Sequence, residues 1–226
     1  PGDRFLGRTP VVSRSIAPND SYRGSVEARL PAALPGNYRF IVRSDIFDDI
    51  PETNSVNNRS TSTETTAVSV KTLTFGMPLP DSIASGQERL YRVEVPVGET
   101  LEVTLTSDVK TANNELYVRY EDLPSSQAFD AAYPGKLFAD QRALVPLTKA
   151  GFYYIMVRGQ GGQTATQLNA RLLPFGIENI TPDAGGDDRY VTVTVTGARF
   201  QPGAIVKLVR PQIGEYEPIT YQVVDR

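Results

Sequence analysis

Apolar residues recur at every second position through most of this chain, and that period limits its fold more than any other feature. In Glu88–Asp108 (ERLYRVEVPVGETLEVTLTSD), Tyr91, Val93 and Val95 alternate with Arg92 and Glu94. Val97-Gly98 then supplies a turn, and Leu101, Val103 and Leu105 repeat the pattern against Glu102 and Thr104. Successive side chains of a strand point to opposite faces, so this alternation predicts strands with one buried and one wet face. Val191–Gly197 (VTVTVTG) sets three valines against threonines, both β-branched types that suit a pleated surface. In Gly36–Asp45 (GNYRFIVRSD), Tyr38, Phe40 and Val42 share one face while Arg39, Ile41 and Arg43 share the other. The 18 glycines and 17 prolines punctuate these short runs, and the whole predicts an all-β chain of tandem immunoglobulin-like or jelly-roll-like sandwich modules. No segment has a sustained helical period. Gln127–Tyr133 (QAFDAAY) admits a single helical turn at most.

Composition shifts divide the chain in three. The Ser/Thr/Asn-rich stretch Asn54–Val70 ends a first segment, residues 1–70, and Pro174 and Gly176 interrupt a strand pattern between residues 71–174 and 175–226. A sandwich of the immunoglobulin type takes about 100 residues. The middle segment meets that length and the outer two are short of it, so each is expected to take further strands from neighbouring sequence or from another chain. The opening PGDRFLGRTP has neither a start methionine nor an apolar leader, which suggests an interior piece of something longer.

The chain contains no histidine and no cysteine. That excludes His/Cys zinc sites, Ser-His-Asp and Cys-His catalysis, and disulfides. A net charge of -3 and five dispersed lysines give no basic stripe for nucleic acid. No apolar run approaches the length of a membrane span. The absence of tryptophan weakens a sugar-platform reading, and the tyrosines, Tyr117, Tyr120, Tyr133, Tyr153 and Tyr154 among them, fall in strand patterns that point to packing.

Three resemblances attach to the three segments. Leu34–Asn58 (LPGNYRFIVRSDIFDDIPETNSVNN) resembles part of a CARDB domain, the bacterial cell-adhesion-related module, through Leu34, Pro35, Tyr38, Asp45, Glu52, Asn57 and Asn58. Gly86–Leu105, Asn113–Asp130 (NNELYVRYEDLPSSQAFD) and Ala150–Gly159 (AGFYYIMVRG) resemble the bacterial pre-peptidase C-terminal domain. Glu115 stands before Leu116-Tyr117-Val118 where that family commonly has Asp, which weakens any ion site implied by the likeness. Ile180–Gly186 with Val191–Val209 and the closing Tyr221–Asp225 looks like part of an IPT/TIG domain. These resemblances imply sandwich modules of large bacterial surface or secreted proteins.

The densest polar loop is Asp45–Asn58, in which Asp45, Asp48, Asp49, Glu52 and Asn54 offer an oxygen set of the kind calcium takes. The spacing is not that of an EF-hand. Asp and Asn also bond their own backbone in turns, and charge runs in loops are more often solvated, so a structural turn is preferred and calcium is kept as the alternative. Asn57-Asn58 is expected to close the loop by side-chain bonds to backbone. Asp183, Asp187 and Asp188 around Gly185-Gly186 read as a flexible turn, and Glu121, Asp122 and Asp130 as solvated charge.

The expectation for function is a non-catalytic structural or adhesive segment of a bacterial extracellular surface protein, a stalk, adhesin or fibre. It is expected to contact its own neighbouring modules or further copies by strand complementation, and possible outside partners are extracellular matrix or polysaccharide. Neither nucleic acid nor a membrane span is expected. The alternative is a polymer- or collagen-binding accessory module of a secreted hydrolase.

Overall fold

The computed structural model describes residues 3–9, 17, 21, 23–47, 49–135, 137–185, 191–201, 203–218 and 220. The closing stretch 221–225, part of the third resemblance, lies outside them. The chain is all-β, with no α-helix among the described residues. The first strands are β1 (Gly36–Tyr38), β2 (Ile41–Arg43), β3 (Arg59–Thr61) and β4 (Thr66–Val68), forming two small antiparallel ribbons, β1 with β4 and β2 with β3. The continuous strand expected over residues 36–45 is thus broken at Arg39-Phe40. The face expected to be buried, Tyr38, Phe40 and Val42, lies exposed because no second sheet among the described residues packs on it.

The next nine strands build a sandwich. They are β5 (Lys71–Thr72), β6 (Leu79–Ile83), β7 (Glu88–Val95), β8 (Thr100–Ser107), β9 (Asn114–Tyr120), β10 (Ala131–Ala132), β11 (Gln141–Val145), β12 (Gly151–Gly159) and β13 (Thr164–Leu173). One sheet has the order β10-β9-β12-β7-β5 and the other β11-β8-β13-β6. The alternation read from the sequence decides which side of each strand goes in: Tyr91, Val93 and Val95 of β7 and Leu101, Val103 and Leu105 of β8 are all buried. They meet Leu116, Val118, Ile155, Val157, Leu168 and Ala170 in one core. Each buried Val, Leu or Ile side chain contributes about 1.5–3 kcal/mol relative to exposure. Tyr153 lies within this core, its hydroxyl accepting the Lys149 N–H at 2.9 Å and its ring 5.2 Å from that of Tyr120.

Gly98, at φ 79, occupies the left-handed conformation that the turn between β7 and β8 requires. Residues 127–133 form no helical turn. Ser125 and Ala128 bridge, and the chain then enters β10, because Asp130 and Ala131 take up pairing with β9. After the sandwich come two more ribbons, β14 (Gly176–Thr181) with β15 (Thr194–Ala198) and β16 (Leu208–Arg210) with β17 (Gly214–Tyr216). The strand expected over 191–197 begins only at Thr194, and Val191 and Val193 are exposed. No helix among the described residues is long and apolar enough to cross a membrane.

Candidate functional site

The acidic loop between β2 and β3 is tied by its own side chains. Asp45 sits at φ 40, and its two carboxylate oxygens accept the N–H groups of Asp49 at 2.9 Å and Ile50 at 3.1 Å. Asn54 caps a 3-10 turn, Ser55–Asn58, by accepting the Val56 N–H at 3.1 Å. Asn58 donates its amide to Glu52, and Ser44 donates its hydroxyl to the Asn58 side chain at 3.2 Å. The Asn58 side chain therefore bonds side chains rather than the backbone groups expected, because Glu52 lies within its reach, while its carbonyl accepts the Ser44 N–H at 2.9 Å and joins the two ends of the loop. Among the described residues no three or more acidic side chains gather as a metal set, and Asp48 lies outside the described residues.

The other acidic clusters divide in the same way. Asp187 and Asp188 lie outside the described residues. Glu121, Asp122 and Asp130, expected as solvated charge, are exposed, and they also act as acceptors at the end of β9. Glu121 takes the Phe152 N–H at 2.7 Å, Asp122 the Leu123 N–H at 2.7 Å, and Asp130 the Tyr120 N–H at 2.7 Å. Strand ends leave N–H groups without ladder partners, and short acidic side chains satisfy them.

Two carboxylate-centred networks lie near the places where the chain enters and leaves the sandwich. At the entry, Asp81 on β6 has a side chain only 9% exposed and joins the edges of both sheets. Its carboxylate receives Lys71 Nζ of β5 at 2.8 Å, the Tyr91 hydroxyl of β7 at 2.9 Å and the Ser82 N–H at 2.8 Å, with Arg89 at 3.5 Å. Burial pushes the Asp81 carboxyl up, and the bonds from Lys71, Ser82 and Tyr91 outweigh it, so it is held below the usual carboxylate range. The same desolvation and the Asp81 charge push the Tyr91 hydroxyl well up. Arg92 Nε adds a bond to Thr72 Oγ1 at 3.0 Å while its guanidinium stacks 4.5 Å from the Phe152 ring.

At the exit, Glu102 points from β8 to the outer side of the four-stranded sheet, yet its side chain is 1% exposed. Arg142 on β11 donates Nε to it at 2.5 Å, and Arg171 on β13 donates to its second oxygen. Arg142 then reaches onward, Nη2 to Glu178 of β14 at 2.7 Å. Burial raises the Glu102 carboxyl, but the two arginine bonds prevail and hold it low. A second tie lies close by along β8: the Arg199 N–H meets Thr100 Oγ1 at 2.9 Å, and its guanidinium lies 3.3 Å from Glu99. Phe175 and Phe200 pack edge to face, centroids 6.0 Å apart, and Gly197 passes so close to Gly176 O that a Cβ would stand 2.1 Å from it.

Neither Asp81 nor Glu102 stands out in the sequence. Glu102 reads there as the wet half of an alternating strand. Only the register Arg171↔Glu102 and the arrival of β14 reveal otherwise.

No family model matches the sequence, and no curated protein matches it. Solved structures offer distant likenesses. The pre-peptidase C-terminal domain of collagenase from Bacillus anthracis is 14% identical with a TM-score of 0.39, over 46% of this chain and 95% of that one. Aeromonas hydrophila PliG, a periplasmic inhibitor of g-type lysozyme, is 18% identical with a TM-score of 0.35, over 46% of this chain and 96% of that one. The solution structure of vEP C-ter 100 is 17% identical with a TM-score of 0.35, over 45% and 98%. The assignment of the fold rests on the sheets themselves.

Proposed function

We propose that the chain is a non-catalytic structural segment of a large bacterial extracellular surface protein, a stalk, adhesin or fibre. Its modules are residues 1–70, 71–174 and 175–226, of CARDB, pre-peptidase C-terminal and IPT/TIG character, set in series. One observation carries this reading: the passage out of the sandwich is braced by side chains that cross it, Arg142 on Glu178 and Arg199 on Glu99, and on the entry side Ala32 of the first segment is buried against Tyr117 and Met156. A loose tether needs no such bonds, since flexible linkers are sequences without side-chain ties. Braced passages fix the angle between neighbouring units and turn a string of modules into a rod. The exposed apolar residues of the small ribbons, such as Val42, Ile177 and Leu208, favour completion by strands of a neighbouring repeat or subunit.

The test uses the absence of native cysteine. Spin labels on Val56→Cys and Leu208→Cys, both exposed positions, report the distance between the outer segments. A rod gives one narrow distribution that broadens when Arg142→Ala and Arg199→Ala are combined. A broad distribution in the parent chain ends the reading. The alternative, a polymer- or collagen-binding accessory module of a secreted hydrolase, draws on the sequence resemblance of the middle segment. Saturable binding of collagen or of a polysaccharide by the whole chain, at micromolar affinity, favours it.

A further inference from the structure

We infer that the sandwich is a tension-bearing element in which the short strand β5 acts as a shear clamp. The inference takes its purpose from the rod reading above and is tested separately from it. β13 ends at Leu173, opposite Thr100 at the start of β8, so the chain leaves at the end of the sandwich that carries the turn of Gly98. β5 runs parallel to β7, with Lys71 opposite Tyr91 and Thr72 opposite Arg92. β7 climbs toward that same turn, so β5 enters from the opposite end. Pulling the chain by its two ends therefore draws β5 back along β7 while β13 is drawn the other way.

Bonds that cross the direction of pull are loaded together and must yield together. Bonds at the tip of a peeling strand yield one at a time. β5 is in the first arrangement: the Leu73 N–H donates to Arg92 O at 2.8 Å, transverse to the strands. Two side-chain locks act beside it, Arg92 Nε to Thr72 Oγ1 at 3.0 Å and Lys71 Nζ to Asp81 at 2.8 Å. The Lys71 lock spans the two sheets, because Asp81 belongs to β6. β13 is held far more heavily, paired with β8 from Thr166 to Leu173 and with β6 from Thr164 to Leu168. The resisting element is therefore β5. Once it slips, the load passes to β6, whose first residue Leu79 lies opposite Leu168 with the strand antiparallel to β13, so that it peels from its end. A parallel pairing of two residues at the entry of a sandwich adds little to a resting core, and its geometry suits the moment when the chain is pulled.

Single-molecule force spectroscopy on the whole chain decides the matter. Held by its two termini, the sandwich is expected to rupture at a force several-fold above that found when the same molecule is held at Met77→Cys and its C-terminus. Met77 is exposed and follows β5, so the second geometry bypasses the clamp and peels β6. Equal rupture forces in the two geometries overturn the proposal. A disulfide between Thr72→Cys and Arg92→Cys, in a chain without native cysteine, is expected to raise the terminal rupture force when oxidised and to release it when reduced. Directional forces that the staple leaves unaltered overturn the assignment to β5. Broad label distances with a strong directional clamp would remove the rod and keep the clamp, and narrow distances with equal forces would do the reverse.

Discussion

The backbone N–H of Arg199 donates to the Thr100 hydroxyl over 2.9 Å, joining positions 99 residues apart. Thr100 donates its own hydrogen to Pro146 O at 2.7 Å, so the hydroxyl is used on both sides. Arg199 holds a φ of 61, a conformation that needs outside support in a residue with a Cβ. Thr100→Val keeps the shape and removes both bonds, leaving the half-buried Pro146 carbonyl and a strained donor without these partners. The expected loss is about 1–3 kcal/mol, read as a lower thermal midpoint. The distance distribution between the outer segments should broaden with it. Thr100→Ser should restore both quantities, and a Val variant that alters neither would remove Thr100 from the junction.

Glu102 and its arginines should respond unequally to removal. The carboxylate is 1% exposed, whereas Arg142 and Arg171 are 39% and 56% exposed. Glu102→Ala leaves two cations that can turn to water, so the expected cost is about 1–3 kcal/mol. Replacing both Arg142 and Arg171 by Ala instead strands a buried negative charge, at about 3–5 kcal/mol. Chemical denaturation of the single and double variants checks the order. An alanine at 102 that costs more than the double arginine variant would mean that the network stabilises by packing alone.

The same burial gives a pH dependence with a defined sign. Asp81 and Glu102 are both held below their ordinary values of 3.8 and 4.5 in the fold. Unfolding then takes up protons, so their contribution is complete above about pH 4.5 and is lost as pH falls through the lowered values. The thermal midpoint should drop steeply below that point, and less steeply in Glu102→Gln. A Gln variant with an unchanged acid slope would move the effect to other carboxylates.

How much of this was legible in sequence depends on how far away each residue's surroundings come from. Val93 and Val103 are buried by a rule that acts within the strand, so alternation predicted them. Val191 and Val193 obey the same rule and stay exposed, since alternation specifies a face but not what lies against it. Glu102 fails in the opposite sense: its concealment depends on β11, β13 and β14 arriving from 40, 69 and 76 positions along the chain. Asp81 likewise needs the pairing of β5 before it becomes a clasp. The loop at Asp45 was legible as a turn because its bonds are local, four and five positions apart.

That loop supports the last prediction. Both oxygens of Asp45 already hold backbone N–H groups, Asn54 holds Val56, and Glu52 holds Asn58. A calcium ion would have to replace these bonds, each worth about 0.5–1.5 kcal/mol net. Hydrogen exchange at the amides of Asp49 and Ile50 reads the loop directly. Protection should be the same with calcium at about 10 mM, above the range that extracellular calcium modules need, and with a chelator. Asp45→Ala should abolish it in either condition. Protection that rises with calcium, together with a higher thermal midpoint, would instead give the ion to Asp45, Asp48, Asp49, Glu52 and Asn54, and metal would then stiffen the first segment by ordering its longest polar loop.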